Sequence, residues 1–114
     1  MRDQQDTLVV RRQHPGPGLA VVTVAGEVDL LTAPRLSRAL ARAREATTVV
    51  DLTGVTFLAA AGLTVLVAAN EAAREQGRRF GVVGAAGTAR RTLELSGVAK
   101  EVPSYRTLAE AVPD

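Results

Sequence analysis

Hydrophobic positions along this chain follow two spacings, and the change between them marks the predicted elements. Val49, Val50 and Leu52 form a short apolar run of the kind found in buried strands. From Gly62 onward, apolar residues recur every three or four positions, so one face of a helix can lie against a sheet. The pattern predicts strands over Thr7–Arg12, Leu19–Ala25, Thr47–Leu52 and Phe80–Val83 and around Glu101–Val102, and helices from Thr32 to about Glu45 and over Ala60–Gln76, Thr88–Leu95 and Arg106–Val112.

Turn-forming residues connect these elements into one small α/β unit. The loop His14–Gly18 is rich in proline and glycine and predicts a hairpin between the first two strands. Thr32 can cap the first helix, and Gly77 can stop the long second helix. The strands on either side of that long helix should be parallel, because they form a strand-helix-strand crossover. We expect a single domain over residues 1–114, with a small mixed sheet of about four or five strands and about four helices.

The start of the long helix is where a site is expected, yet its residues carry no reactive group. Open α/β folds place their sites where a strand ends and a helix begins, and a helix N-terminus favours an anion. The sequence at this point is Ala59-Ala60-Ala61-Gly62, which supplies no capping oxygen, nucleophile or proton carrier. A flat apolar surface for a partner is therefore a better interpretation than an active site.

Four segments, in order, resemble the STAS domain of bacterial anti-sigma factor antagonists. The segment around the helix start follows the pattern D-L-[ST]-G-V-x-F-[LM]-x-x-x-G-L-x-V-L. The four segments are Ala25–Leu30, Asp51–Leu66, Arg90–Val98 and Tyr105–Ala111. The resemblance runs from about Thr7 to Val112. It implies a small mixed α/β fold and a protein that frees a sigma factor by binding its anti-sigma factor.

One departure from the resembled family concerns its phosphorylation switch. In that family the helix usually opens on Asp-Ser-Ser-Gly, and the first serine is phosphorylated by the anti-sigma factor, a serine kinase. Here Ala59, Ala60 and Ala61 stand at those three positions. A phosphoryl group would add about −1.5 to −2 charge, and Ala60 cannot carry it. The nearest hydroxyls are Thr56, which precedes the helix, and Thr64, one turn into it. Thr64 is better explained by a hydrogen bond back to the helix backbone, and Thr56 by a place in a turn or at a strand end.

A pair of carboxylates precedes the first helix. Glu27 and Asp29 are two residues apart, so on a strand they would project from the same face and could meet basic groups of a partner. The resemblance implies that the contact surface for the anti-sigma factor lies there. The residues expected to contact a partner are Glu27, Asp29, Ala59, Ala60, Ala61, Gly62 and Thr64.

The composition and spacing of residues argue against several other kinds of function. The chain has no cysteine and only His14 as histidine, so we expect no metal site and no cofactor, and assign His14 no role. Gly81–Gly87 has the spacing G-x-x-G-x-x-G, which does not match a dinucleotide loop. The net charge of +2 comes from arginines in separated groups, and few aromatics accompany them, so nucleic acid is not an expected partner. No apolar stretch reaches membrane-spanning length.

These observations favour a cytoplasmic binding module over an enzyme. The leading hypothesis is an anti-sigma factor antagonist, monomeric or weakly dimeric, that binds an anti-sigma factor kinase and that phosphorylation at the usual position cannot switch off. The alternative is a STAS scaffold or transport-associated subunit that binds another protein or a small ligand without a phosphoswitch. An enzymatic function is not expected, because no nucleophile, base or metal set converges at the predicted site.

Overall fold

The computed structural model describes residues 8–113. The strands are β1 (Leu8–Gly16), β2 (Leu19–Val28), β3 (Thr47–Leu58), β4 (Arg79–Val83) and β5 (Ser104–Tyr105). The helices are α1 (Ala33–Arg42), α2 (Ala60–Glu75), α3 (Gly87–Ser96), α4 (Val98–Glu101) and α5 (Leu108–Ala111). In this part of the chain, no helix is long and apolar enough to cross a membrane.

The five strands form one sheet in the order β1-β2-β3-β4-β5. β1 and β2 form the predicted antiparallel hairpin, with Val10 opposite Val24. The other neighbours are parallel, and Val50 pairs with Val22 on one side and with Val82 on the other. A parallel pair needs a crossover connection, which α1 and α2 provide. The prediction of a small mixed α/β sheet is confirmed.

The two faces of the sheet bury unequal amounts of apolar surface. The larger core lies on the face covered by α1 to α4, where Val22, Val50 and Leu66 are each 0% exposed. The smaller core lies on the opposite face, where α5 covers Val21 and Val49. Side chains alternate between the two faces along each strand, which places Val22 and Val50 on one face and Val21 and Val49 on the other. The larger core holds α1 and α2 against the sheet.

Several element boundaries differ from the predictions. The first helix ends at Arg42 instead of near Glu45, and β1 continues to Gly16, which shortens the hairpin loop. The region around Glu101–Val102 is not a strand, because α4 runs to Glu101 and the strand follows at Ser104–Tyr105. The predicted start of the first strand, Thr7, lies outside the described residues.

The largest difference is the length of β3, which was predicted to end at Leu52 and continues to Leu58. Gly54 is therefore not part of a turn. It pairs with Ala25 beside a register shift, and a Cβ atom at Gly54 would lie only 2.8 Å from the Ala25 Cβ. Glycine inside a strand often marks such a close approach of two backbones.

Candidate functional site

The candidate site lies where β2 and β3 end together and α2 begins. Glu27 pairs with Phe57, and Val28 pairs with Leu58, so both strands reach the same edge of the sheet. Val28 and Leu58 point into the large core, whereas Glu27 and Phe57 are exposed. The loop of residues 29–32 leaves β2 at this edge, beside the first turn of α2.

The first turn of α2 is fixed by backbone bonds. Ala59 is extended, with φ −85° and ψ 171°, and its N–H donates to Val28 O at 2.8 Å. Its carbonyl accepts from Gly62 N at 2.9 Å and from Leu63 N at 3.2 Å. Within residues 8–113, no side chain caps the helix at Ala59. The bond to Val28 ties the residue before α2 to the end of β2, although it does not satisfy the N–H groups that a side-chain cap would accept from.

Gly62 lets α2 pack directly against the ends of the two strands. A Cβ atom at this position would lie 2.6 Å from Leu58 Cδ1 and 2.7 Å from Val28 Cγ1. Distances below 3.0 Å require something to shift, and the core around Gly62 is tightly packed. The helix start and the strand ends are consequently one rigid unit.

Asp29 organises the loop that connects β2 to α1. Its Oδ1 accepts hydrogen bonds from Leu31 N and Thr32 N, both at 3.0 Å, and the Thr32 hydroxyl lies at the same distance. The Asp29 carbonyl accepts from Ala33 N at 2.8 Å. The side chain thus closes an Asx turn that starts the first helix.

Two predictions about this loop are wrong. Thr32 does not cap the first helix through its side chain. Its hydroxyl instead accepts from Asp29 N and donates to Glu27 O, both at 2.9 Å. Glu27 and Asp29 do not project together, because β2 ends at Val28 and the Asp29 carboxylate turns into the loop.

The two hydroxyls nearest Ala60 both donate to backbone carbonyls, one within its own helix and the other across to the neighbouring strand. Thr64 Oγ1 donates to Ala60 O at 3.1 Å, which confirms the expected bond back to the helix backbone. Thr56 lies near the end of β3, the second of its two expected positions, and its hydroxyl donates to Gly26 O at 3.3 Å. Both side chains belong to exposed residues.

Three exposed apolar side chains lie at or just after the ends of β2 and β3, and they were not predicted from the sequence. Leu30 is 78% exposed, Leu31 is 76% exposed and Phe57 is 45% exposed. Together with the exposed Ala60 they form a surface that we call the apolar edge. Asp29 in the sequence was a usable signal for these leucines, because Asp favours an Asx turn and residues at the tip of such a turn face outward. Exposed apolar residues at one edge of a domain are typical of interaction sites.

The other predicted site residues take different positions at this edge. Glu27 and Thr64 are exposed, Ala59 and Ala61 are half-buried, and Gly62 is buried. Gly62 can therefore support the surface from below, while the exposed residues are free to meet a partner.

Acid should loosen the loop that carries the apolar edge. The hydrogen bond from the Thr32 N–H is the main cause that holds the pKa of Asp29 below its usual value, against the opposing effect of burial. Because the folded pKa is depressed, the ionised carboxylate stabilises the fold above the unfolded pKa, and this contribution is lost as pH falls through the folded pKa. We expect Asp29→Ala to lower the thermal midpoint at neutral pH, and the gap to wild type to narrow in acid.

Asp29→Asn is the matched control, because its amide oxygen can still accept from the two backbone N–H groups but does not titrate. Its thermal midpoint should lie between those of wild type and Asp29→Ala at neutral pH. A gap between wild type and Asp29→Ala that stays constant from pH 7 to strong acid would contradict the assigned role.

The mixed sheet of five strands, with α1 and α2 as crossovers and the start of α2 packed on two strand ends, defines a small α/β domain. Residues 13–108 match the family model described as "Mlab, STAS domain". The chain belongs to the STAS domain family, and the resemblance found in the sequence is confirmed.

Relatives in this family share most of their length with the chain. It is 36% identical over 98 residues to the anti-sigma-F factor antagonist RsfB of Mycobacterium tuberculosis, which covers 83% of this chain and 80% of RsfB. The crystal structure of an anti-sigma factor antagonist from Mycobacterium paratuberculosis superposes with a TM-score of 0.84 at 35% identity, covering 93% of this chain and 92% of the other. The anti-sigma factor antagonist SpoIIAA in its unphosphorylated form has the same fold, with a TM-score of 0.71 at 16% identity over 90% of this chain and 92% of its own.

Proposed function

We propose that this protein is an anti-sigma factor antagonist, which binds an anti-sigma factor and so releases the sigma factor that the anti-sigma factor holds. The observation that carries the proposal is the 36% identity to an anti-sigma-F factor antagonist over most of both chains. The TM-score of 0.84 to a second mycobacterial antagonist supports it further. The function is binding, not catalysis, and its place is the cytoplasm.

The apolar edge is the proposed contact surface. Leu30, Leu31 and Phe57 offer apolar area that binding would remove from water. The small side chain of Ala60 allows a partner backbone to approach the start of α2 closely. Exposed Glu27 lies on the strand beside Phe57 and can pair with a basic group at the rim. Thr64 extends the surface one turn along the helix.

Gly62 and Asp29 support this surface without contributing side-chain contacts of their own. Gly62 is buried beneath the first turn of α2, and the Asp29 carboxylate is occupied by the loop. We assign the partner contacts to the exposed residues and a positioning role to these two. The protein binds as a monomer or a weak dimer.

Binding is proposed to be constitutive, with a serine kinase type of anti-sigma factor as the partner. Ala60 stands at the position that the kinase would phosphorylate and has no hydroxyl. A phosphoryl group at this position would place about −1.5 to −2 charge in the middle of an apolar surface. Since this cannot happen here, the level of the protein sets the extent of sigma release by mass action.

Titration calorimetry against the anti-sigma factor kinases of the host, with ADP and with ATP, tests the proposal. We expect the wild-type protein to bind equally in both nucleotides and to gain no phosphate by mass spectrometry. Ala60→Ser should gain one phosphate in ATP and lose affinity there, because the new hydroxyl lies in the exposed first turn of α2.

Ala61→Ser is the matched control, since it adds a hydroxyl at the half-buried neighbouring position. It should remain unphosphorylated and keep the same affinity in both nucleotides. Binding of the wild-type protein to none of the kinases would overturn the proposed function, and phosphate on the wild-type protein would overturn constitutive binding.

A further inference from the structure

A cavity lies beside the start of β4, on the side of this strand that faces β5. Its volume is about 340 Å³, at the lower end of the range of about 300–1,000 Å³ that is typical of small-molecule sites. The second half of α2, the segment before β5 and the end of α5 complete its wall. The apolar residues of this wall are Phe80, Gly81, Pro103, Tyr105 and Ala111.

The backbone of β4 has no strand partner along this cavity in the described part of the chain. Val82 N–H donates to Pro103 O at 2.9 Å, so Val82 uses its polar groups on the β5 side. Backbone groups alternate between the two sides of a strand, which places the N–H and C=O of Phe80 on the β5 side as well. β5 begins at Ser104, opposite Val82, and therefore leaves Phe80 unpaired. The Phe80 N–H is a donor that a ligand can use.

Asn70 carries a hydrogen-bond acceptor that is buried but not sealed. The residue is 4% exposed, and its Nδ2 donates to Glu101 O at 3.1 Å. Its Oδ1 makes no hydrogen bond with any described residue. In residues 8–113, the unpartnered side-chain atoms that are shut off from solvent are Glu45 Oε1 and Thr48 Oγ1, so Asn70 Oδ1 can still be reached. Since Asn70 borders the cavity, a donor group of a molecule inside can meet this oxygen.

A second buried polar group borders the same cavity. Thr47 is 6% exposed, and its Oγ1 has no hydrogen-bond partner among the residues that the structure describes. This atom is also not one of those shut off from solvent. Native proteins leave few buried polar groups without a partner. Two such groups at one cavity indicate a site for a polar ligand.

The charge around the cavity is mostly positive. Arg74 on α2 and Arg79 on β4 are exposed and border it, and neither forms an ion pair within residues 8–113. Arg78 borders it too, but two of its N–H groups are committed to other residues. Of the described residues in the wall, only Glu101 is acidic. Arginine N–H groups match the geometry of a carboxylate, so an anionic group is favoured beside Arg74 and Arg79.

We propose that the cavity binds a free α-amino acid with an apolar side chain. Its carboxylate accepts hydrogen bonds from the Phe80 N–H and the two exposed arginines, and its ammonium group donates to Asn70 Oδ1. Glu101 in the same wall favours a cationic donor over a neutral hydroxyl. The side chain of the ligand covers the apolar part of the wall. The proposal is independent of the anti-sigma function, because no residue of the apolar edge borders the cavity.

The first test is a titration of the full chain with L-leucine, followed by amide chemical shifts and calorimetry. We expect saturable shifts at residues of the cavity and a dissociation constant on the order of 1 mM or below, as is usual for a ligand of this size. Isocaproate is leucine without its ammonium group, and isoamylamine is leucine without its carboxylate. Each should bind at least about tenfold more weakly, as for the loss of a hydrogen bond to a charged group.

Substitutions separate the two halves of the site through their effect on ligand preference. Asn70→Leu removes the acceptor, so the preference for leucine over isocaproate should disappear. The double variant Arg74→Gln with Arg79→Gln removes two positive charges, so the preference for leucine over isoamylamine should fall several-fold. A loss of folding would weaken all three ligands alike, whereas a changed preference identifies a lost contact.

Thr47→Val tests the buried polar wall without touching the bond between Asn70 and Glu101. It keeps the shape of the side chain and removes the hydroxyl, so leucine binding should weaken several-fold while the thermal midpoint stays level or rises. This variant keeps the test decisive if Asn70→Leu does not fold.

The control for the arginine substitutions is the double variant Arg38→Gln with Arg91→Gln. Both positions are exposed, lie on α1 and α3, and do not border the cavity, so leucine binding should stay unchanged. The proposal would be overturned by the absence of saturable leucine binding, or by isocaproate or isoamylamine binding as tightly as leucine. Leucine binding that is unaffected by both Thr47→Val and the double variant at Arg74 and Arg79 would overturn it as well.

Discussion

Replacing Leu30 and Leu31 together by aspartate should weaken binding to the anti-sigma factor about 30-fold or more. Both side chains are more than 75% exposed in the free protein, and a well-buried interface residue of the hot-spot type costs at least about 2 kcal/mol when lost. Aspartate also brings two charges into an apolar contact, which adds a desolvation cost. Calorimetry with the wild-type and variant proteins measures the change directly.

Leu95→Asp is the control for this experiment. Leu95 is similarly exposed, at 81%, but lies near the end of α3, on a different element from the loop of residues 29–32. The control should bind like wild type, and all three proteins should have the same circular dichroism. If the double variant binds with unchanged affinity, the partner does not use the apolar edge, whichever anti-sigma factor it is.

Gly62→Val should lower the free energy of unfolding by about 1–3 kcal/mol, the usual cost of overpacking a core. Already the first added carbon would lie 2.6 Å from Leu58 Cδ1 and 2.7 Å from Val28 Cγ1. Neither neighbour can move outward easily, since Val28 is 0% exposed and Leu58 is 2% exposed. The gain in helix propensity over glycine is below about 1 kcal/mol and does not compensate. For a domain of this size the thermal midpoint should fall by roughly 5–20 °C.

Gly16→Ala is the matched glycine substitution. No described heavy atom beyond its chain neighbours lies within 4 Å of a Cβ built there, and its φ is not positive. Its thermal midpoint should stay within a few degrees of wild type. A wild-type midpoint for Gly62→Val would mean that α2 does not pack on the strand ends as closely as described here.

The sequence predicted those features that depend on neighbouring residues along the chain. The helix that begins at Ala60 shows a clear helical spacing of apolar residues, and the crossover geometry made its flanking strands parallel. The absence of a capping side chain at Ala59 was also predictable, because it depends only on the residue at that position. The bond of Thr64 to Ala60 O was also predictable, because it spans one turn of one helix.

The features that were missed depend on contacts between distant parts of the chain. In the sequence, Gly54 looks like a turn residue. In the structure it lies opposite Ala25, and the absence of a side chain lets the two strands stay paired there, so that β3 continues to Leu58. The end of β2 at Val28 decides whether Asp29 shares a face with Glu27 or closes a turn.

The strand order β1-β2-β3-β4-β5 follows the order of synthesis. Each strand pairs with its immediate predecessor, so no strand has to be inserted between two that have already paired. A chain emerging from the ribosome can therefore build its sheet by adding one strand at a time to a growing edge, with α1 and α2 covering the face as they appear. The last strand, β5, has only two residues. The sheet accordingly receives most of its hydrogen bonds before β5 has been made.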